Sequence, residues 1–260
     1  MKLNYREFGG QGRAIVILHG LFASHKNWIS VAKAASARGR SFALDLRNHG
    51  DSPHADSHTL EDLVADLHEW LGDHGLERPV LVGHSMGGLA AMGYALTHPE
   101  VPHGLVVVDI APRAYRPDFS REFAALSTDI SRMSSRSEID RTLEPLIPEE
   151  DVRQFLEMNA ERADGGFRWK LNVEALQSSP FMNGPDFARF EEHLRGRSEA
   201  PALLIAGGES DFVREEDIPL FRSYFPNGSV EIIPGCGHWV HYICSDSFLK
   251  LLDDFLSRLS

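Results

Sequence analysis

The tightest constraint on the fold is a set of short apolar runs that recur along the chain and alternate with helical patterns. Residues 14–19 (AIVILH), 41–46 (SFALDL), 79–84 (PVLVGH), 104–109 (GLVVVD), 201–207 (PALLIAG) and 229–234 (SVEIIP) each have the length of one strand. Their Val, Ile and Leu run almost without interruption. A strand buried on one face alternates apolar with polar residues; near-continuous runs indicate burial on both faces, as in a parallel sheet covered by helices. Helical stripes fill the gaps. Over residues 59–75, Leu60, Leu63, Val64, Leu67 and Leu71 share a face and the pattern ends at a glycine. Residues 85–99 read as a helix stopped by Pro99, and 246–259 as an amphipathic C-terminal helix. Strands alternating with helices predict an α/β fold, a mostly parallel twisted sheet with helices on both faces. Residues 1–10 read as an antiparallel edge strand or hairpin.

One region breaks the alternation. Between Pro112 and about Ala200 there are helical patterns at 119–133, 149–163 and 184–196, punctuated by Pro145, Pro148, Gly165, Gly166, Pro180 and Pro185, and no convincing strand. The chain is therefore expected to divide into a core of residues 1–112 and 201–260 and a helical insertion, 113–200, placed after strand 6. No repeats interrupt this plan.

Charge narrows the partners. With 38 acidic against 26 basic residues, the net charge is −12. Nucleic acid is an unsuitable partner, since affinity there comes from Lys and Arg neutralising phosphates. Docking on anionic membranes is disfavoured for the same reason. Residues 1–13 contain no apolar leader-like run, and no stretch approaches the ~18 apolar residues of a membrane span. Cys236 and Cys244 lack metal-ligand spacing and are expected as reduced thiols, and the protein is expected in the cytoplasm, as a monomer or homodimer acting on small molecules.

The chemistry concentrates around Gly83-His84-Ser85-Met86-Gly87, a G-x-S-x-G pentapeptide. Chance produces such a match in about one chain in ten of this length, so context decides. An apolar strand runs into it and a helix begins at once, the strand–turn–helix of a nucleophile elbow. A serine hydroxyl needs an adjacent base. Of the thirteen histidines, His238 is placed best, in a Gly-rich loop (Pro234 to Trp239) between the last strand and the last helix. His241, three residues on, is expected to line the site. The acid that would orient the imidazole has two candidates, Asp109 and Asp211, each at the carboxyl end of a strand. An oxyanion formed on attack needs two preorganised N–H donors. Position points to Met86, after the nucleophile, and to Leu21 or Phe22 in the loop His19-Gly20-Leu21-Phe22. Phe22, His84 and Trp239 join His241 as substrate-pocket candidates. Glu122, Glu150 and Lys170 are expected on a solvated charged face. His54-Ala55-Asp56-Ser57-His58, without an H-E-x-x-H helix, reads as a solvated loop and not a metal site.

HGLF (19–22), DLRNHG (45–50), GHSMGG (83–88), DIAP (109–112) and GHWVH (237–241), in this order, give the chain a resemblance to the α/β-hydrolase superfamily and, more narrowly, to the YbfF-type esterases. The resemblance covers nearly the whole length. It implies hydrolysis of esters or acyl thioesters through a Ser-His-Asp triad with no metal or organic cofactor, and makes the insertion a cap over the active site. It also favours Asp109, the aspartate of DIAP, as the acid over Asp211. Rival readings are carbon–carbon hydrolysis, a menaquinone-pathway elimination or perhydrolysis on the same triad, and a non-catalytic ligand-binding receptor built on the same fold.

Overall fold

In the computed structural model, which describes residues 1–179, 187 and 196–259, the apolar runs become strands of one seven-stranded sheet. They are β1 (Tyr5–Glu7), β2 (Ala14–Leu18), β3 (Arg40–Leu44), β4 (Val80–His84), β5 (Gly104–Val108), β8 (Ala202–Gly207) and β9 (Gly228–Ile233), ordered β1-β3-β2-β4-β5-β8-β9. All neighbours are parallel except β1, which pairs antiparallel with β3. The N-terminal segment supplies a single edge strand, so the insertion follows the fifth strand of the sheet and not the sixth.

Each central strand feeds two cores because its side chains alternate faces. On one face Val16, Phe42, Leu81 and Val107 pack against α2 (Leu60–Asp73) and α3 (Met86–Thr97), and α8 (Asp217–Tyr224) joins through Phe221. On the other face Ile17, Val82, Val106 and Ile205 pack against α1 (Ile29–Ala35) and α10 (Ser245–Arg258). Helix α2 starts where Thr59 and Asp62 form a reciprocal capping box, each side chain accepting from the other's backbone N–H. Helix α3 is buried along nearly its whole length, from Met86 to Leu96, and so lacks a polar face.

The insertion contains α4 (Ser120–Leu126), α5 (Arg136–Leu143), α6 (Glu150–Glu157), α7 (Val173–Ser178) and an antiparallel hairpin, β6 (Ala160–Ala163) with β7 (Gly166–Trp169). The hairpin corrects the all-helical expectation. Gly165 at φ +86° makes its turn, and only four residues pair on each side, too short to carry a period-two signal. Phe123, Leu126, Leu143, Leu156 and Leu176 form the insertion's own core, which meets the main domain at Phe22. Pro180, Pro185 and most of the helical pattern at 184–196 lie outside the described residues.

Cys236 and Cys244 are joined as a disulfide, which corrects the expectation of free thiols. The short helix α9 (Val240–Ile243) turns the chain back so that their Cα atoms lie 6.3 Å apart, within bridging range. No helix among the described residues is long and apolar enough to cross a membrane.

Packing at the β4–α3 junction leaves no room for a side chain. A Cβ on Gly83 would overlap the Gly87 carbonyl oxygen, and one on Gly87 would overlap the Leu18 carbonyl. Gly83→Ala is expected to lower stability by about 3 kcal/mol, the upper end for forced overpacking, read as a lower urea midpoint. An unchanged midpoint would mean that the elbow is looser than this packing.

Candidate active site

Ser85 sits between the last residue of β4 and the first of α3, at φ 51° and ψ −121°. Those angles are costly for a residue with a Cβ and persist only where the surroundings impose them. Here the Ser85 N–H is held by the Val108 carbonyl at 3.0 Å, and its own carbonyl accepts the Leu89 N–H to start the helix. Positive φ outside glycine occurs at only five described residues, and three of them (Phe22, Ser85 and Asp109) converge at this end of the sheet. That end is the carboxyl edge of the parallel strands, where α/β sheets bind ligands.

Asp109 follows β5 and is fully buried. Its carboxylate accepts the Gly207 N–H at 2.8 Å, the Ser210 hydroxyl, and Nδ1–H of His238 at 2.7 Å. Asp211, the other sequence candidate, is exposed and contributes its main-chain carbonyl to Arg113 at 3.2 Å. The two aspartates are thus separated by burial: one reaches the imidazole and the other does not. Phe212 stacks on the His238 ring at 3.9 Å and 20°, fixing its plane, and His84 Nε2–H donates to the His238 carbonyl at 3.0 Å. Ser85, His84, His238, Trp239 and His241 line one cavity of about 130 Å³, closed on the far side by Phe22, Phe155 and Leu156. A second recess of about 40 Å³ opens on Ser85 between Met86, Leu89, Ile110 and Tyr115.

The loop opposite Ser85 is resolved by its hydrogen bonds. Phe22 N–H donates to His49 Nε2 at 3.3 Å, so it is already engaged. Leu21, which lines both recesses, is left as the loop's candidate oxyanion donor beside Met86. Phe22 contributes its ring, packed edge-on against Phe119 and Phe123 of the insertion.

Other sequence candidates fall elsewhere. His241 is buried and stacked on Trp28 at 4.1 Å, so it serves the wall more than the opening. Glu122 lines the cavity, whereas Glu150 is exposed. Lys170 is not solvated: its ammonium is paired with Asp51 and lies 3.5 Å from Glu161. Nor is His58, which is 2% exposed and packs its Nε2 3.2 Å from Met86 Sδ. Ser210, Phe212, His49 and Asn159 carry no local sequence signal for the contacts they make.

Buried histidines surround this site, and burial pushes His19, His49, His58, His84 and His241 below the usual imidazole range, His58 and His241 to about 3. Each stays neutral when folded yet takes up a proton when unfolded below ~pH 6.5. The unfolded state then binds more protons, so stability is present above ~6.5 and is lost as pH falls toward 3. Melting temperature is expected to drop steadily from pH 7 to pH 4.5, and a flat profile across that range would contradict neutral burial of these rings.

Residues 13–243 match the alpha/beta hydrolase fold family. The sn-1-specific diacylglycerol lipase ABHD11 of Xenopus tropicalis is 37% identical over 98% of this chain and 82% of its own. Esterase YbfF of Escherichia coli is 31% identical over 99% of this chain and 100% of its own. Among solved structures, a marine microorganism esterase superposes with a TM-score of 0.89 at 36% identity, covering 97% of this chain and 98% of that one. Fold, strand order and these likenesses agree: the chain belongs to the α/β-hydrolase superfamily and, within it, to the YbfF-type group.

Proposed function

We propose that this protein is a serine carboxylic-ester hydrolase, acting on small acyl esters and extending to acyl thioesters. The observation that carries the proposal is the hydrogen bond from His238 to the buried Asp109, with Ser85 and His238 lining one cavity. Asp109 accepts from Nδ1–H, which leaves Nε2 as the basic nitrogen. His238 takes the Ser85 proton as the hydroxyl oxygen attacks the carbonyl carbon. The resulting oxyanion is received by the N–H groups of Met86 and Leu21. The imidazolium then protonates the leaving alcohol or thiol. Water, deprotonated by His238, attacks the acyl-enzyme and releases the acid. Residues 113–200 act as the cap: Phe155 and Leu156 from it wall the cavity and exclude water. Relatives named as an esterase and a diacylglycerol lipase support an ester substrate.

The test is covalent. A fluorophosphonate is expected to add one phosphonyl group, mapped to Ser85 by peptide fragmentation, and to abolish turnover of p-nitrophenyl butyrate. Folded protein that neither labels nor hydrolyses any p-nitrophenyl ester from acetate to decanoate would leave the ligand-binding role instead.

A further inference from the structure

The oxyanion donor proposed above is a backbone N–H, and a backbone N–H in a loop is only as well aimed as the peptides on either side of it. Three buried side chains hold those peptides, and none belongs to the triad. His19 Nδ1 lies 2.8 Å from the Gly20 carbonyl oxygen, and its Nε2 accepts the Leu46 N–H at 3.0 Å. Because Leu46 N–H can only donate, Nε2 carries no hydrogen, and the neutral ring must carry it on Nδ1 and donate to Gly20. In a trans peptide, C=O and N–H point in opposite directions. Drawing the Gly20 carbonyl toward His19 turns the Leu21 N–H the other way. Ala23 N–H reinforces this pull on the same carbonyl at 3.2 Å.

The next residue is clamped from both sides. Phe22, at φ 62°, gives its N–H to His49 Nε2 at 3.3 Å, and His49 Nδ1–H is held by the Arg47 carbonyl at 2.8 Å. Its carbonyl accepts from Asn159 Nδ2 at 2.7 Å. Asn159 follows α6 in the insertion, so the cap itself grips the loop. His19 and His49 are fully buried and Asn159 is 3% exposed. Burial also pushes both imidazoles below their usual range, which keeps each in the single neutral tautomer the contacts require.

We propose that His19, His49 and Asn159 are positioning residues that aim the Leu21 N–H at the oxyanion, with Asn159 making that aim depend on a seated cap. This rests on the serine-hydrolase reading, and the experiment separates the two. In His19→Gln the side-chain amide oxygen still reaches the position of Nε2 and accepts from Leu46, while the donor to Gly20 is lost. In His19→Asn the amide nitrogen replaces Nδ1 and keeps that donor. Asn159→Asp is isosteric and removes the donor to Phe22. His19→Gln and Asn159→Asp are expected to lose on the order of 10- to 100-fold in kcat on p-nitrophenyl butyrate with KM nearly unchanged, the scale of a misaimed donor. His19→Asn should recover most of the His19 loss.

Phenylboronic acid, which forms a tetrahedral adduct on Ser85 and places an oxygen in the hole, supplies the readout that a merely structural role would not move. Its Ki should weaken by the same factor as kcat. If kcat falls but Ki does not, or if both His19 variants and Asn159→Asp stay within threefold of wild type, the positioning role is overturned. A Ser85→Ala control with undiminished turnover would overturn the nucleophile assignment and this role with it. If His19→Gln does not fold, Asn159→Asp, on a different element, is judged by the same two criteria.

Discussion

Ser85→Ala is expected to lower kcat on p-nitrophenyl esters by about 10⁶-fold, the loss seen when a nucleophilic serine is removed from a triad that works as a unit. The oxygen that would bond to the acyl carbon is gone, and no neighbouring side chain in the cavity offers another hydroxyl: its wall is built from Phe, Leu, Val, Trp and His side chains, with one carboxylate from Glu122. What remains is the hole and the binding surface, which alone hold a residual 10³- to 10⁴-fold over water. The fold should be indifferent to the change. The Ser85 side chain makes no capping hydrogen bond at the start of α3, and the turn is imposed by Gly83 and Gly87 packing and by the Val108 carbonyl. Melting temperature and turnover measured together check both halves. A folded Ser85→Ala protein within tenfold of wild-type kcat would end the nucleophile assignment.

Asp109→Asn is the second large effect, expected to reduce kcat by about 10⁴-fold, against less than threefold for Asp211→Asn. The asymmetry follows from the hydrogen-bond count. The Asp109 carboxylate receives three donors: Gly207 N–H on one oxygen, and the Ser210 hydroxyl with His238 Nδ1–H on the other. An amide has one acceptor oxygen. Turned toward Gly207, it presents its NH₂ to His238 and selects the tautomer protonated at Nε2, which cannot take the serine proton. Turned toward His238, it sets NH₂ against the Gly207 N–H in a fully buried site, where an unmatched polar pair is costly. Asp211 faces solvent and bonds through its main chain, so its side-chain charge has little to act on. Kinetics of the two variants side by side decide the matter, and a larger loss in Asp211→Asn would reverse the assignment.

Much of this architecture is legible in the sequence. The six Val/Ile/Leu runs all became sheet strands. In the central ones burial on both faces leaves a compositional trace in nearly every residue. The edge strand β9 is only partly buried, with Ile232 51% accessible, which corrects the expectation of two-faced burial there. The elbow was legible for a related reason: a serine at positive φ requires small neighbours, so the geometry writes Gly83 and Gly87 into the chain. Its place after the last parallel strand singled out His238 among thirteen histidines, and its ring is the one that meets Asp109. Where the sequence misled, the contacts were too few or too distant to leave a pattern. The β6–β7 hairpin has four pairs, the Cys236–Cys244 bridge depends on a helix of four residues turning the chain back, and His58 is buried by packing against Met86.

Sequence alone determined the alternation of strands and helices, the strained turn at Ser85 and the histidine proposed as base, since each rests on local spacing or on burial repeated over a whole element. The residues by themselves left two aspartates and two loop N–H groups open, with the resemblance favouring Asp109; the tertiary structure is what brings Asp109 to the imidazole and engages the Phe22 N–H. Those choices depend on single hydrogen bonds between residues up to 129 positions apart. A single long-range contact sets no periodicity and restricts no neighbours, and so it leaves nothing in the sequence to read.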